Sequence, residues 1–401
     1  MNILSINTFF PFPTRRGMDI VYLNLLKTQA QKHDVTLVSM RRTGVEDNHL
    51  SEIAPYVKTV HLAGGRARSL ARKIADAAKY NALSPLLWRP KSTFYDSAPE
   101  MVALVREVSR SQKFDVIEFH HSPCAGLVNH VEGGKKLLYM YDVHSRSAAR
   151  LAETKRGLGR IAAKIEAAKY RSFEPGIAPK FDGVLFGQEE DMRAMAPFIR
   201  KDAVAALMPN IVDTDIFKPG PDAGRSRAVV FVGAMSHRAN VDAILHFQSE
   251  MWDKIRARAP DVELWLVGAT PPDEIRALHG SRGIKLFSDV PDIKPFVDAA
   301  AVYVVPLRIG SGVKVKIMEA LAMGKAIVAT LVAAEGMGLT SGEDIRICEP
   351  GEAFVDAVID TLNDSGARAA LQSHARETAV KRFGFANGRA ELDAIYSRLH
   401  A

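Results

Sequence analysis

Short apolar runs alternate with longer stretches of mixed polarity along the first half of the chain. The runs are rich in β-branched residues, as buried parallel strands are, whereas the stretches between them repeat apolar residues at helical spacing. The predicted strands cover Ile3–Ile6, Val35–Val38, Val57–Leu62, Val116–Phe119, Leu137–Tyr141, Val184–Phe186 and Ala203–Met208. Helices are predicted over Asp19–Gln31 and over much of Ser147–Phe173. This alternation is typical of an α/β fold, in which helices cover both faces of a parallel sheet.

The pattern breaks between residues 209 and 226 and then begins again. The break contains three prolines and two glycines, a composition typical of a linker. Beyond it, strands are predicted over Ala228–Val232, Glu263–Val267, Ile284–Phe287, Val302–Val305 and Ala326–Ala329, and helices over Val241–Arg258 and Lys314–Met323. We therefore predict a Rossmann-like domain over 1–208, a second over 227–385, and a C-terminal helix, about 386–401, that crosses back to the first. Since open α/β sheets bind ligands at the carboxyl ends of their strands, two such domains predict a site in a central cleft.

Composition narrows the class of protein. The chain has 401 residues, too many for one ordinary core, and no apolar stretch long enough to span a membrane. Its N-terminus is predicted to be a strand and not an export signal, and its two cysteines have no metal-type spacing, so we expect a cytoplasmic protein. The first 200 residues carry a net charge of +10 and the remainder −3. Such a basic half indicates an anionic partner or an ordinary solvated surface, and both readings stay open.

The segment from Val302 to Thr330 is predicted to be a strand, a glycine turn, a helix and a second strand. Gly310, Ser311 and Gly312 form the turn, and a glycine turn that opens a helix directs backbone N–H groups at one point, which favours an anion. Lys316 and Glu319 share a face of the helix. The combination indicates a site for a nucleoside diphosphate in which Glu319 binds the ribose, although a plain surface ion pair is the simpler reading of the two charges.

Other candidate residues follow predicted strands. Gly233 ends the first strand of the second domain, Arg238 lies in the next loop, and Asn240 is placed to cap the helix at Val241. In the first domain, His120 and His121 end one strand, while Asp142 and His144 follow the next. A histidine at the carboxyl end of a strand can do polar work near neutral pH, or it can be a structural residue with its hydrogen bonds satisfied. Neither group has the spacing of a metal site.

These motifs together resemble the family 4 (group 1) glycosyltransferases, which are retaining enzymes of the GT-B fold. The resemblance is carried by FVGAMSHRANVDA from Phe231, by LWLVG from Leu264, and by PLRIGSGVKVKIMEALAMGKAIVAT from Pro306. It covers the second half of the chain well and the first half loosely. Among subgroups, the chain is most similar to the bacterial exopolysaccharide and PEP-CTERM-associated sugar transferases.

The resemblance implies roles for individual residues. Glu319 corresponds to the second of two glutamates of the family and binds the ribose, whereas Ser311 stands in place of the first, and Ala234 in place of an arginine after Gly233. His144 is expected near the anomeric carbon, with Arg238 and Lys316 stabilising charge on the leaving diphosphate. The remaining donor contacts implied are those of Gly233, Val290, Gly310, Ser311, Gly312, Val313 and Lys314. An acceptor or phosphate loop is implied for Arg16, Gly17, His120 and Asp142.

The activity implied is transfer of a sugar from a nucleotide-diphosphate donor, with retention, to a glycan or lipid-linked acceptor of cell-surface polysaccharide or glycolipid synthesis. We expect neither a metal ion nor another cofactor. The stretch from Arg66 to Arg89 combines cations with Leu86, Leu87 and Trp88. This composition is typical of an interfacial helix on an anionic membrane surface, a further partner at the inner face of the plasma membrane, but a solvated helix packed on its own domain is the simpler reading, and both stay open. Nothing indicates binding of nucleic acid. A GT-B sugar-nucleotide epimerase and a nucleotide-binding scaffold without transfer activity are the alternatives.

Overall fold

The computed structural model describes residues 1–14, 17–41, 47–64, 70–153, 155–309 and 315–401 of the chain. These residues form two compact units. The first comprises Met1–Asn210 together with Arg389–Ala401, and the second comprises residues 211–309 and 315–388. The glycine turn at Gly310–Lys314 and the loop residue Arg16, both predicted to bind ligand, lie outside the described residues.

The first unit is built around a sheet of seven strands, all paired in parallel. Its strands are β1 (Asn2–Asn7), β2 (Asp34–Met40), β3 (Thr59–Ala63), β4 (Val116–His120), β5 (Lys135–Met140), β6 (Gly183–Phe186) and β7 (Val204–Leu207). They lie in the order β3-β2-β1-β4-β5-β6-β7. The helices are α1 (Gly17–Gln29), α2 (Asp47–Ile53), α3 (Leu70–Leu86), α4 (Lys91–Asp96), α5 (Pro99–Ser111), α6 (His144–Glu153), α7 (Gly157–Ile177) and α8 (Glu189–Met195). The central strands are buried on both faces, which explains their continuous apolar runs.

The second unit has a parallel sheet of six strands. They are β8 (Ser226–Val232), β9 (Glu263–Gly268), β10 (Ile284–Ser288), β11 (Ala300–Val305), β12 (Ile327–Ala329) and β13 (Arg346–Ile347), in the order β10-β9-β8-β11-β12-β13. The helices are α9 (Arg238–Phe247), α10 (Asp253–Arg258), α11 (Asp273–Arg276), α12 (Lys294–Ala299), α13 (Val315–Ala322), α14 (Leu331–Ala334), α15 (Glu352–Asn363), α16 (Ser365–Thr378) and α17 (Phe385–His400), the last of which ends in the first unit. The predicted α/β class, with two Rossmann-like sheets, is confirmed.

Two helices differ from the sequence-based prediction. The single helix expected over Ser147–Phe173 is instead a pair, α6 and α7, and Gly157 at the start of α7 has a φ of +55°. A left-handed residue cannot continue a helix, so the amphipathic pattern on either side belongs to two separate helices. Helix α9 begins at Arg238 and not at Val241, and it continues through a π-helical turn over Gln248–Trp252 into α10.

A buried polar network ties α17 to the sheet of the first unit. The Glu118 carboxylate is fully buried and accepts hydrogen bonds from Gln29 Nε2 (2.9 Å), from the Tyr139 hydroxyl (2.9 Å) and from the Tyr396 hydroxyl (2.7 Å). Burial alone would raise the pKa of Glu118, but the His120 imidazole, 3.6 Å from Oε2, and the hydrogen bonds from Tyr396 and Gln29 outweigh it and lower the pKa. A buried carboxylate with this many donors fixes α17 in one position, because losing any donor leaves charge unsatisfied.

Candidate functional site

The carboxyl ends of β8 and β9 approach each other closely in the second unit. A Cβ atom placed on Gly268 would lie 2.0 Å from the carbonyl oxygen of Gly233, a distance that no side chain can accommodate. The Gly233 amide donates to the Val267 carbonyl (3.1 Å), which continues the ladder one residue past the strand. Glycine at 268 is therefore required for the loop after β8 to take its place at the sheet edge.

Lys316 of α13 lies at this sheet edge, beside Gly233. A Cβ atom on Gly233 would be 2.9 Å from Lys316 Nζ and 2.8 Å from Asn240 Nδ2. Lys316 Nζ donates to Asn240 Oδ1 (2.7 Å) and lies 4.7 Å from the centre of the Phe231 ring. The ammonium group is thus held by an amide oxygen and an aromatic face over a backbone that has no side chain. The structure brings Gly233 and Lys316 together, as a donor site would require.

Asn240 has a different role from the predicted one. The residue before α9 is His237, which makes no side-chain cap, and Asn240 is in the first turn of the helix. Its Nδ2 donates to the Ala234 carbonyl (2.7 Å), while its Oδ1 accepts from Lys316. The capping prediction is therefore wrong: the side chain connects the loop after β8 to α13. The short polar residue in a strand–loop–helix segment was visible in the sequence, but its partner, 76 residues away, was not.

Glu319 lies one turn after Lys316 and is half-buried. Burial raises the pKa of its carboxyl to about 7, and the Lys316 charge opposes the shift. Among the described residues no hydrogen bond is donated to this carboxylate, although its charge adds to burial in raising the pKa of the Tyr303 hydroxyl well above its usual value. A carboxylate in such surroundings is stabilised by any ligand that donates hydrogen bonds to it, as a pair of hydroxyls does.

The other predicted donor residues of the second unit are less constrained. Arg238, the first residue of α9, is exposed, and Val290 is half-buried in the loop after β10. Sequence reasoning missed Arg308, in the segment after β11, whose guanidinium binds both carboxylate oxygens of Asp242 (2.7 and 3.1 Å). This ion pair attaches to α9 the segment that leads into the glycine turn. Both charged groups are partly exposed, so the ion pair contributes only modest free energy. Its two parallel hydrogen bonds nevertheless fix the position of the Arg308 guanidinium.

In the first unit His144 is the first residue of α6 and is packed from one side. Its Nδ1 lies 2.9 Å from Ser122 Oγ, and its ring stacks on Tyr170 with centroids 5.0 Å apart. The side chain is still 29% exposed. Burial lowers the pKa of His144 to about 4, against the opposing influence of the Asp142 carbonyl and the Asp191 charge, so the imidazole is neutral at physiological pH.

Glu174 of α7 lies beneath His144 and was missed by sequence reasoning. Its Oε1 accepts from the backbone amide of His144 (2.8 Å) and from Ser122 Oγ (2.8 Å), and its Oε2 accepts from the amide of Ser145 (3.1 Å). Burial raises the pKa of Glu174, and these donors oppose the shift. The carboxylate therefore serves as the cap of α6 from outside the helix, at the end where the dipole favours negative charge.

The predicted acceptor or phosphate residues lie in contrasting surroundings. His120 is fully buried, with Nε2 3.0 Å from Ser5 Oγ and Nδ1 2.9 Å from the Tyr141 hydroxyl. Both ring nitrogens are thus committed to the protein, and the structure gives His120 a packing role, not contact with an acceptor. Asp142 is half-buried before α6, and Gly17 is exposed at the start of α1.

Asp96, at the end of α4, is a further titratable group that the sequence did not single out. Burial raises the pKa of its carboxyl to about 7, and a hydrogen bond with Thr8, directly after β1, opposes the shift. The group therefore lies near the carboxyl end of the central strand. Within the described ranges no cluster of three or more histidine, cysteine or carboxylate side chains is arranged to hold a metal ion.

Comparison with known proteins identifies the family to which the segment that carries these residues belongs. Residues 226–364, which include the Gly233–Lys316–Glu319 cluster, match the family described as glycosyl transferases group 1. This segment belongs to the group 1 glycosyl transferases, and the chain has the GT-B fold. The resemblance inferred from the sequence motifs is thereby confirmed for the family and the fold, while the exopolysaccharide subgroup stays a prediction.

Similar proteins span most or all of the chain. The phosphatidyl-myo-inositol mannosyltransferase of Mycolicibacterium smegmatis is 26% identical over 66% of this chain and 72% of its own length. The sucrose-phosphate synthase (tll1590) of Thermosynechococcus elongatus is 16% identical with a TM-score of 0.71, covering 100% of this chain and 99% of that one. The Anabaena protein Alr3699/HepE, solved in complex with UDP and glucose, is 15% identical with a TM-score of 0.67, covering 99% of both chains. At these identities the two solved structures show the shared fold alone.

The described residues of the group 1 glycosyl transferase segment lie in the second unit, which also holds the predicted donor residues Gly233, Lys316 and Glu319. No helix in the described part of the chain has the length and apolar character needed to cross a bilayer.

Proposed function

We propose that this group 1 glycosyltransferase transfers a sugar, with retention of configuration, from a nucleotide-diphosphate donor to a glycan or lipid-linked acceptor of cell-surface polysaccharide or glycolipid synthesis. The observation that carries the proposal is the Lys316 ammonium, held by Asn240 and Phe231 over the bare backbone of Gly233. A fixed cation beside backbone without a side chain is suited to a diphosphate. The complex of Alr3699/HepE with UDP supports a nucleotide donor in this fold.

Each part of the nucleotide-sugar donor has a proposed partner in the protein. Lys316 and the exposed Arg238 neutralise the leaving diphosphate, Glu319 accepts hydrogen bonds from the ribose hydroxyls, and His144 contacts the transferred sugar. We propose that neither a metal ion nor another cofactor takes part, because these cations can meet the developing charge themselves. Val290, and the turn from Gly310 to Lys314, are proposed to line the rest of the donor site.

Donor binding is tested first. A thermal-shift panel of UDP-, GDP-, ADP- and TDP-sugars with the full chain should give one stabilising base, and Lys316→Ala should remove that stabilisation. Turnover of the stabilising donor with a lipid-linked acceptor, and NMR of the anomeric linkage, test transfer and retention. Unchanged turnover in both Lys316→Ala and Glu319→Gln would contradict the assignment. Hydrolysis of the donor without acceptor separates an enzyme from a scaffold, which should show none, and epimerised donor would indicate the epimerase.

We further propose that the enzyme works at an anionic membrane surface through a face of the first unit formed by α3 and α7. Of the basic stretch that suggested such a surface, residues 65–69 lie outside the described residues. The part that is described exposes Leu86 (77%), Leu87 and Trp88, and Leu158 (85%) and Ile161 are exposed on α7. Exposed apolar residues on two neighbouring helices are what an interfacial surface presents to lipid.

The composition around these side chains supports lipid as the partner. A groove of about 520 Å³ lies between α3 and the α6–α7 pair, lined by apolar residues that include Pro85, Ala162, Ala163 and Ile165, by the cations Lys91 and Lys155, and by the ion pair of Lys169 with Glu166 (3.5 Å). Apolar side chains flanked by the exposed Lys91 and Lys155 match an anionic bilayer better than an apolar protein partner, which offers these two cations no counter-charge. One relative is named phosphatidyl-myo-inositol mannosyltransferase, and this name is in keeping with a lipid-linked acceptor.

Vesicle flotation tests the surface. We expect the full chain to float with phosphatidylglycerol vesicles at low salt, to be released at high salt, and to bind phosphatidylcholine vesicles weakly. The double variant Leu158→Ser/Ile161→Ser should lose most of the binding, whereas Phe198→Ser, an equally apolar change at another exposed position of the unit, should keep it. Binding that ignores both salt and the double variant would contradict the proposal.

A further inference from the structure

The carboxyl group of Asp96 has few partners for a group so well shielded from water. Asp96 is the last residue of α4 and is half-buried. Burial raises the pKa of its carboxyl to about 7, and the Thr8 hydroxyl is the one hydrogen-bonding group of the described chain that acts on it. None of the described lysine, arginine or histidine side chains forms an ion pair with it. Shielded carboxylates are ordinarily paired with a cation or with several donors.

A negative charge on Asp96 destabilises the fold. The residue stands at the C-terminal end of a helix, where the helix dipole disfavours negative charge. Two other shielded carboxylates of the same unit, Glu118 and Glu174, each accept hydrogen bonds from three donors and thereby hold helices in place. Asp96 has no such set of donors. A group that lowers the stability of its own fold is a candidate for ligand binding.

The position of Asp96 in the sheet supports this interpretation. The strand order of the first unit reverses between β1 and β4, and open α/β sheets bind ligands in the crevice at the carboxyl ends of such strands. Thr8, which acts on Asp96, directly follows β1. Cys124 lies in the turn after β4, where its Sγ donates to the His120 carbonyl (3.0 Å), and its pKa is raised by burial and next by the charge of Asp96. Asp96 therefore lies at the crevice between the two strand ends.

The groups that share this crevice with Asp96 carry no charge at physiological pH. Burial is the main reason why the pKa values of the Cys124 thiol and the Tyr170 hydroxyl are raised, and the charge of Asp96 adds to both shifts. The Tyr170 ring stacks on His144, so Asp96 belongs to the same end of the sheet as that histidine. The ion pair of Lys169 with Glu166 lies at the first residue of α4 and does not act on Asp96.

We propose that Asp96 and Thr8 bind a hydroxyl of the acceptor, so that the acceptor presents an uncharged sugar to this crevice and not a phosphate. A sugar hydroxyl donates a hydrogen bond to a carboxylate without adding charge. A phosphate would instead bring negative charge to a carboxylate that has no described cation beside it. Phe9, the residue after Thr8, adds a half-buried ring that contacts His121 (centroids 4.8 Å apart), and aromatic rings with a few polar groups are typical of small-ligand sites.

This assignment rests on the proposed function, in which the donor cluster of the second unit leaves the crevice of the first unit to the acceptor. Of the acceptors considered there, a glycan and a lipid-linked glycan both end in a sugar hydroxyl. The phosphate of a lipid carrier that bears no sugar is excluded.

Acceptor kinetics with defined probes test the assignment. The full chain, saturated with the donor found by the thermal-shift panel, is assayed with octyl glycosides of glucose, galactose, mannose and N-acetylglucosamine, and with a polyprenyl phosphate. We expect transfer to at least one glycoside and none to the phosphate. In Asp96→Asn, kcat/KM for that glycoside should fall about 10- to 100-fold, the contribution of a hydrogen bond to a charged group, while the KM of the donor stays the same. Thr8→Val should show part of this loss, and Thr8→Ser should restore it.

Asp182 provides the matched control. It is half-buried like Asp96, but it precedes β6 at the opposite end of the sheet, where it accepts the Lys136 amide (2.8 Å) and pairs with Arg200 (3.1 Å). At pH 8, Asp182→Asn should unfold at a lower temperature than wild type with unchanged acceptor kinetics. Asp96→Asn should unfold at an equal or higher temperature, because ionisation of a group whose pKa is raised by folding disfavours the folded state above that pKa.

Several outcomes would overturn the assignment. They are transfer to the polyprenyl phosphate, a wild type that neither uses nor binds any of the glycosides, and a changed donor KM with unchanged acceptor kinetics in Asp96→Asn. Earlier unfolding of Asp96→Asn at pH 8, or its failure to fold, would show a structural role instead.

Donor hydrolysis without acceptor separates this assignment from the proposed function. Wild-type hydrolysis with poor transfer in Asp96→Asn would support an acceptor site. A wild type that neither binds nor hydrolyses any donor would contradict the proposed function. Binding of the octyl glycosides, measured by saturation-transfer NMR, would then still test the crevice, since it should be weakened in Asp96→Asn and kept in Asp182→Asn.

Discussion

Gly233→Ala tests whether the Lys316 ammonium depends on a backbone without a side chain beneath it. The new methyl group would lie 2.9 Å from Lys316 Nζ and 2.8 Å from Asn240 Nδ2, whereas ordinary contact begins near 3.4 Å. Each atom must therefore move by roughly half an ångström. Both atoms are ends of side chains, so we expect the fold to persist while the Lys316–Asn240 bond is stretched or broken.

The cost follows from the contacts at risk. A hydrogen bond from a charged donor contributes about 1.5–3 kcal/mol, and the ammonium over Phe231 adds about 0.5–1 kcal/mol. Losing most of both would weaken binding of a nucleoside diphosphate by roughly 10- to 100-fold. In the double variant Gly233→Ala/Lys316→Ala the new methyl group has no ammonium to displace. The double variant should therefore bind the nucleotide about as poorly as either single variant.

Wild type, Gly233→Ala, Lys316→Ala and the double variant are titrated by calorimetry with the nucleotide that the thermal-shift panel identifies. The four affinities give the interaction energy between positions 233 and 316. We expect an interaction energy of at least about 1 kcal/mol between the two sites, well beyond the scatter of independent mutations. Gly366→Ala is the control, because its Cβ meets nothing closer than 3.5 Å on α16, and it should bind like wild type with equal or higher stability. Strictly additive losses, or a Gly233→Ala protein with wild-type affinity, would refute the reasoning.

Three further predictions concern titration and burial. Burial raises the pKa of Glu319 from 4.5 to about 7, so its ionisation disfavours the folded state as pH rises through this range. The free energy of unfolding of Glu319→Gln should therefore exceed that of wild type by about 1–2 kcal/mol at pH 8 and equal it at pH 4, as measured by thermal unfolding. The same ionisation makes the carboxylate a better acceptor, so nucleotide affinity of wild type should rise from pH 6 to pH 8, and this rise should vanish in Glu319→Gln. Tyr396→Phe removes a donor from the buried Glu118 carboxylate and should cost about 1–3 kcal/mol in thermal or urea unfolding, whereas Tyr95→Phe, at a partly exposed ring, should cost little. An equal effect of the two tyrosine variants would contradict the role of the network.

Much of the architecture follows from local pattern. Strands such as β1 and β4 are continuous apolar runs because parallel strands are covered on both faces, and such runs are visible without knowing their neighbours. The family was recognisable for a similar reason, because Gly233, Lys316 and Glu319 lie in motifs that are short and continuous in the sequence. Where prediction failed, a single backbone conformation decided, as at Gly157, where a left-handed residue separates two helices with one shared amphipathic pattern.

The partners of the site residues came only with the tertiary structure. His120 and His144 look alike in the sequence, since each follows a strand, yet His120 is fully buried against Ser5 and Tyr141, whereas the side chain of His144 is 29% exposed. Asn240 reads as a helix cap, but a lysine 76 residues later is what its oxygen binds.

The sequence by itself determined the α/β class, the two sheets and the family, because these depend on periodicity and on motifs that are local along the chain. Only the tertiary structure decided which side chains are buried, what holds Lys316 over Gly233, and which carboxylate caps the helix that begins at His144. The physical reason is that burial and hydrogen-bond partners depend on contacts between segments far apart in the chain, such as α13 with the loop after β8, or α7 with the start of α6.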